Sequence, residues 1–254
     1  MKSSTDLVLS LPKSFLLIGA PGTGKTTFAL QLPKPYLIDC DSNLDGPVRY
    51  LSSTAKLPSF HYDSPLTDKL GKPTERGQRF DRVLELVHEA INAPDVDTII
   101  IDSLTSLADF ALDKVRVFQG RKFGNNSTKA DDPLQIQDWG VFQSIIKQLV
   151  FYVKSTNKRL VICAHMTVDK DELSGILQNF LNLPGSLKHT LSGWFEEAWN
   201  LYIEVQGAGA TVKNLRKIRT VADARNAPLG LKSSIGLPSA FDADAELVLK
   251  AITK

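Results

Sequence analysis

The sequence predicts an α/β fold, a doubly wound and mainly parallel sheet with a C-terminal β-hairpin, and three observations carry that expectation. Short apolar runs, SFLLI at 14–18, YLID at 36–39, TIIID at 98–102 and RLVICA at 159–164, read as strands buried on both faces. Stretches of helical period lie between them, with Phe80, Val83, Leu84, Val87 and Ile91 on one stripe and Trp139, Phe142, Ile145, Leu149 and Val153 on another. Strand, helix, strand in this order implies right-handed crossovers and parallel pairing.

Residues 1–13 read as an arm and 14–254 as a single core, because no repeat, low-complexity tract or linker divides the chain. With 254 residues, 43% of them hydrophobic and 23% charged, the chain can bury its core without disulfides or metals. Cys40 and Cys163 each close an apolar run and read as reduced, buried thiols. The first stretch, MKSSTDLVLSLPKS, lacks the apolar centre of a secretory leader, and no run approaches the ~18 apolar residues of a membrane span. A cytoplasmic location is the expectation. A net charge of +2 excludes a wholly polyanion-binding surface, so nucleic acid would have to meet local patches.

The first strand empties into Gly19-Ala-Pro-Gly-Thr-Gly24-Lys25-Thr26, which satisfies G-x-x-x-x-G-K-[ST] between a strand and a helix-forming TTFALQL. Gly22 and Gly24 let backbone N–H groups converge on phosphates, and a helix N-terminus adds partial positive charge. Gly19, Pro21, Gly22, Thr23, Gly24, Lys25, Thr26 and Thr27 are therefore the candidate nucleotide-binding residues, with ATP and Mg²⁺ as the cofactors. Lys25 is expected to reach the β and γ phosphates and the Thr26 hydroxyl to ligate Mg²⁺. The plain alternative is a glycine-rich turn that caps a helix.

The third strand closes on Asp102, suited to the Mg²⁺ shell, and the next residue is Ser103. GAPGTGKT alone would suit an AAA+ motor, whose metal strand typically ends in Asp-Glu with the glutamate activating water. Here the general base must come from elsewhere. The second strand leads into Asp39, Asp41 and Asp45, which read either as turn and N-cap carboxylates or as the source of that base. His165 closes the fourth strand beside the expected nucleotide site, where a lone histidine is either structural or solvated, or else functional.

Residues 199–205 and 211–221 read as two strands joined by GAGA, a hairpin ending the sheet. Two loops carry cations. Arg116, Arg121, Lys122 and Lys129 lie in RVFQGRKFGNNSTKA, interleaved with Phe118 and Phe123 and free of acids, which fits a single-strand interface or a solvated connector. Residues 167–190 read as a second long loop in which Asp169, Asp171 and Glu172 dilute Lys170 and Lys188.

Taken together, GAPGTGKT, YLIDCDSN, TIIIDSLTSL, the Trp139 helix, CAH and the closing KSSIGLP, spanning 14–238, resemble the short RecA-core ATPases of bacteriophages, which are single-strand annealing proteins or core-only recombinases. The resemblance implies a RecA-like P-loop NTPase fold and Mg·ATP-dependent binding of single-stranded DNA, with annealing or strand exchange. In it, Asp41 falls where the second core strand of RecA carries its catalytic glutamate, one methylene shorter, and His165 falls at the γ-phosphate sensor that begins a DNA-binding loop. It further implies self-association into a ring or filament with ATP at the subunit interface. Asp6 to Leu11 would be a short polymerisation strand, and a single-strand binding protein a further partner. A basic residue from the C-terminal end would reach the neighbour's γ-phosphate. Lys232 keeps the lysine of the family's Lys-x-Arg pattern while Ser234 stands at its arginine, so Lys232, then Arg219 and Arg225, are the trans candidates, with a basic face for DNA or solvent as the alternative. Two other classes remain open: a nucleotide-switched scaffold or helicase loader with slow hydrolysis, and a small-molecule P-loop kinase.

Overall fold

The computed structural model describes residues 12–124, 131–170, 175–207 and 212–252. Strand β1 (Ser14–Gly19) is buried along its length and lies between β5 (Arg159–Lys170) and β7 (Glu197–Gln206), parallel to both. Beyond β5 come β4 (Thr98–Asp102), β2 (Pro35–Asp39) and the edge strand β3 (His61–Asp63), all in parallel register. On the other side β8 (Lys213–Arg219) and β9 (Ala240–Asp242) pair antiparallel, giving the order β3-β2-β4-β5-β1-β7-β8-β9, while β6 (Leu177–Leu181) pairs antiparallel with the far end of β5.

Alternate side chains of the central strands point to opposite faces, and each face has its own core. Leu16, Ile18, Ile38, Ile99, Ile101, Leu160 and Ile162 pack with α3 (Arg79–Asn92), α4 (Leu104–Phe118) and α5 (Ile136–Lys154). Phe15, Leu17, Leu37, Ile100 and Val161 pack with α1 (Lys25–Ala29), α2 (Asp45–Ser53) and α7 (Ala245–Ile252). The mixed α/β, mainly parallel, doubly wound sheet is therefore as expected. Trp199 anchors the second core, with Phe15, Phe28 and Phe241 edge-on at 5.1, 6.0 and 6.0 Å and its indole N–H donating to Glu197 at 2.8 Å. Cys40 and Cys163 are buried free thiols. No described helix is long and apolar enough to cross a membrane.

Four expectations need correction. The first helix stops after Ala29 instead of running through Leu32, and the chain tightens into i→i+3 turns, with the Gln31 and Leu32 N–H groups donating to the Phe28 and Ala29 carbonyls, before Pro33. In α3 the buried stripe is Phe80, Val83, Leu86, Val87 and Ala90; Leu84 is 39% exposed. The β7–β8 hairpin does not end the sheet, since β9 adds beyond it. Residues 167–190 are not one long loop: β5 continues past His165 to Lys170 and turns back as β6, and α6 (Leu187–Thr190) follows. The expected polymerisation strand, Asp6 to Leu11, lies outside the described residues.

Candidate nucleotide site

Parallel register brings the chemistry-bearing residues to one edge of the sheet. Gly19 at the end of β1 is opposite His165 of β5, and Asp39 at the end of β2 is opposite Asp102 of β4. Between these strand ends lies a cleft of about 420 Å³, lined by Pro21, Gly22, Gly24, Lys25, Thr26, Thr27, Asp39, Asp41, Asp102 and His165 among others. This is where an open parallel sheet receives ligands.

The loop's shape needs its glycines at two points in particular. A Cβ on Gly19 would stand 2.4 Å from the Leu201 carbonyl oxygen and 2.6 Å from the Thr23 hydroxyl. Gly24 has φ +93°, a left-handed conformation that an L side chain rarely takes. Thr23 closes the turn by donating its hydroxyl to the Ala20 carbonyl at 2.9 Å. The Lys25 ammonium reaches back along the loop to the carbonyls of Gly19 and Ala20 at 3.0 and 3.1 Å, and burial lowers its pKa.

The Thr26 hydroxyl donates to Asp102 Oδ2, so the two residues expected to share a metal shell already touch. Burial pushes the Asp102 carboxyl up from its usual value, against the Thr26 hydrogen bond. An acid buried at some electrostatic cost, beside a hydroxyl and a phosphate loop, is the donor set a hard divalent cation prefers, and Thr26 and Asp102 would hold Mg²⁺ here.

Asp41 stands just beyond β2 and is held by α4. Ser103 donates its hydroxyl to Asp41 Oδ1 at 3.1 Å, Ser106 donates to the same oxygen, and His165 Nε2 lies 3.6 Å from Oδ2. Burial raises the Asp41 pKa, but the hydrogen bonds from His165, Ser106 and Ser103 outweigh it and hold the carboxyl below its usual range. His165 bridges Asp41 to Lys25, with Nδ1 3.4 Å from the Lys25 ammonium. Because the ammonium can only donate, the neutral tautomer with the proton on Nε2 fits both neighbours. Asp39 is a turn carboxylate instead: its Oδ1 accepts the backbone N–H groups of Asp41 and Asn43 at 3.2 and 3.4 Å. Asp45 begins α2 without a side-chain cap.

The sequence reading missed Tyr50, which lines the cleft, and Ser106, which bonds Asp41, and it counted Arg216 only within the basic run at 213–232 without placing it in the cleft. Ser106 is one helical turn from Ser103, a spacing that puts both hydroxyls on one face of α4. Arg216 shares its face of β8 with buried Ile218, opposite to the face of Lys217 and Arg219, and that alternation was the available signal.

A family model described as an AAA domain (AAA_24) matches residues 11–220. The chain belongs to this AAA domain family. No curated protein matches it. Membership makes the chain a P-loop domain and points to nucleotide binding and NTPase activity, in keeping with the cleft. In this AAA domain the residue after Asp102 is nevertheless Ser103, and the other cleft carboxylates, Asp39 and Asp41, come from the end of β2 and just beyond it.

Of the expected DNA contacts, two are occupied within the chain. Arg116 pairs with the buried Asp113 at 2.8 Å, and Arg121 pairs with the wholly buried Asp138 at 2.6 Å. The segment read as free of acids is thus tied down by Asp113 one turn back on α4, by Asp138 of α5, and by Asp131, which lies 3.7 Å from Arg116 and accepts the Gly124 N–H at 3.0 Å. Lys122 and Lys170 are exposed, while Lys188 sits 5.1 Å over the Phe180 ring; Lys129 lies outside the described residues. None of the trans candidates lines the cleft. Lys232 is bridged to Ala198 and reaches the Gly193 carbonyl at 3.5 Å, Arg219 pairs with Asp223 over the Tyr202 ring, and Arg225 is exposed.

Proposed function

We propose that the protein is a Mg·ATP-dependent ATPase that binds single-stranded DNA and anneals or exchanges complementary strands. The observation that carries the catalytic part is Asp41: a carboxylate held in its ionised form by two serine hydroxyls, in the same cleft as Lys25, Thr26 and Asp102. Lys25 exchanges its loop carbonyls for β and γ phosphate oxygens, and the loop N–H groups hold the rest of the chain of phosphates. Thr26 and Asp102 would hold Mg²⁺, which would supply charge neutralisation at the phosphates. Asp41 takes the proton of the attacking water as the bond from the γ-phosphorus to the leaving diphosphate oxygen breaks. His165, between Asp41 and Lys25, registers which of them the γ-phosphate has displaced.

For DNA, the support is narrower than the sequence implied. Exposed Lys122 near the end of α4, with Phe118 of that helix 73% exposed, and Lys170 at the end of β5, beyond the sensor histidine, offer cations and an aromatic face. Self-association would place one of Lys232, Arg219 or Arg225 against a neighbour's cleft.

A second reading, a nucleotide-switched loader with slow turnover, is favoured by the engagement of Asp41 with Ser103, Ser106 and His165, which must loosen before water is reached. Asp41→Asn separates the two. As the base, Asp41 gives a turnover loss of about 10²-fold or more with ATP affinity kept. Unchanged turnover in Asp41→Asn removes it as the base and leaves the switch.

A further inference from the structure

Arg216 enters the cleft from β8 and lines it beside Gly24 and Lys25. Its guanidinium carbon stands 3.9 Å from the centroid of the Tyr50 ring on α2. Its Cδ and Nε also lie 2.9 and 3.2 Å from where a Cβ on Gly24 would be. The Arg216–Tyr50 stack therefore lies over the last glycine of the phosphate loop. The same two residues wall a second cavity of about 690 Å³, which runs along α1 and shares Gly24 and Thr27 with the first.

Arg216 is, with Arg49, Arg79, Arg159 and Arg225, an arginine that no described carboxylate pairs with, and of these it is the one that lines the cleft. Arg76, Arg82, Arg116, Arg121 and Arg219 each hold a carboxylate. Among the described residues Arg216 holds none, and its Nη1 is buried with no hydrogen-bond partner. A buried N–H without an acceptor is costly, and a guanidinium presents the planar fork that matches phosphate. An anion in the cleft supplies the missing acceptor.

We propose that Arg216 is a phosphate-binding residue supplied within the same chain and held in reserve by Tyr50. Without nucleotide, the guanidinium rests on the Tyr50 ring. A polyphosphate entering the loop draws it off the ring and onto a phosphate oxygen. This rests on the reading of the cleft as a nucleoside triphosphate site and adds to it a residue and a closed resting state. Because the stack must open first, it lowers the apparent affinity by the fraction of molecules already open.

Equilibrium binding of ATP and of inorganic triphosphate to four variants tests this. Arg216→Ala should weaken both ligands about ten-fold, the scale of one charge-assisted hydrogen bond. Tyr50→Leu, which removes the resting place and keeps the arginine, should tighten both by about 2- to 10-fold, the scale of a half-exposed cation–π contact. Arg216→Gln, which keeps bulk over Gly24, should repeat the Arg216→Ala result if that variant folds poorly. Unchanged affinity in both Arg216 variants overturns the proposal. Weakening by Tyr50→Leu also overturns it, by making the ring a seat for the ligand, and so does a loss at Arg216 confined to ATP, which would place the contact on the nucleoside. Lys25→Ala separates the two readings: if it binds ATP as the wild type does, the nucleotide site itself has failed. If it loses ATP while the Arg216 variants do not, only the reserve arginine has.

Discussion

Asp41 and Asp102 share a cleft and are pushed in opposite directions, and each direction has a measurable consequence. For Asp41, burial is outweighed by hydrogen bonds from His165, Ser106 and Ser103, so its folded pKa lies below the unfolded one. Its stabilising contribution is complete above the ordinary carboxylate value of about 3.9 and is lost as pH falls through the lower folded value. In the proposed mechanism Asp41 so held stays ionised, and the pH–rate profile should show no loss attributable to it between about pH 5 and 8. An acid limb near neutrality that vanishes in Asp41→Asn contradicts this. For Asp102, burial raises the pKa, so its charge costs stability at neutral pH and the cost is relieved by protonation. Asp102→Asn should therefore raise the melting temperature of the nucleotide-free protein by a few degrees while abolishing Mg²⁺-dependent turnover. A lowered melting temperature in that variant counts against the electrostatic account. These roles were only partly legible in the sequence. Lys25, Thr26 and Asp102 sit in short motifs whose chemistry is local, whereas the serines that hold Asp41 are more than sixty residues away from it in the chain.

At the scale of elements, the segment after α4 shows why charge counted along a chain misleads. Arg121 looks free because its acid, Asp138, arrives from α5, while Arg116 is held by Asp113 one turn earlier on the same helix, just outside the stretch over which charge is counted. Arg121 is 15% exposed and Asp138 not at all, so removing the arginine strands a buried carboxylate. Arg121→Glu should lower the melting temperature by several degrees, and Lys122→Glu, on an exposed side chain, should not. If the two variants are equally stable, Arg121 returns to the solvent-facing candidates. The same long-range effect hid the β5–β6 hairpin. Met166 to Lys170 mixes polar and apolar residues without the run that betrayed the buried half of β5, and its partner strand is set by pairing rather than by pattern. The four central strands were legible because burial on both faces makes each one a continuous apolar run.

For the whole molecule, sheet order decides what the strand ends can do together. β4 lies between β2 and β5, so the Asp102 position is flanked by the residues that follow Asp39 on one side and by His165 on the other, with β1 and the phosphate loop next. In the proposed mechanism this arrangement lets one γ-phosphate meet Lys25, Asp41 and His165 at once, and β5 continues outward to pair with β6. The cleft and the exposed end of β5 thereby share one strand. The central claim, that this strand couples ATP to single-stranded DNA, is tested most directly by steady-state ATP turnover in Mg²⁺ with no nucleic acid, with single-stranded DNA, with duplex DNA and with RNA. The account predicts turnover that single-stranded DNA raises several-fold and that the others raise little or not at all. Equal turnover in all four conditions contradicts it.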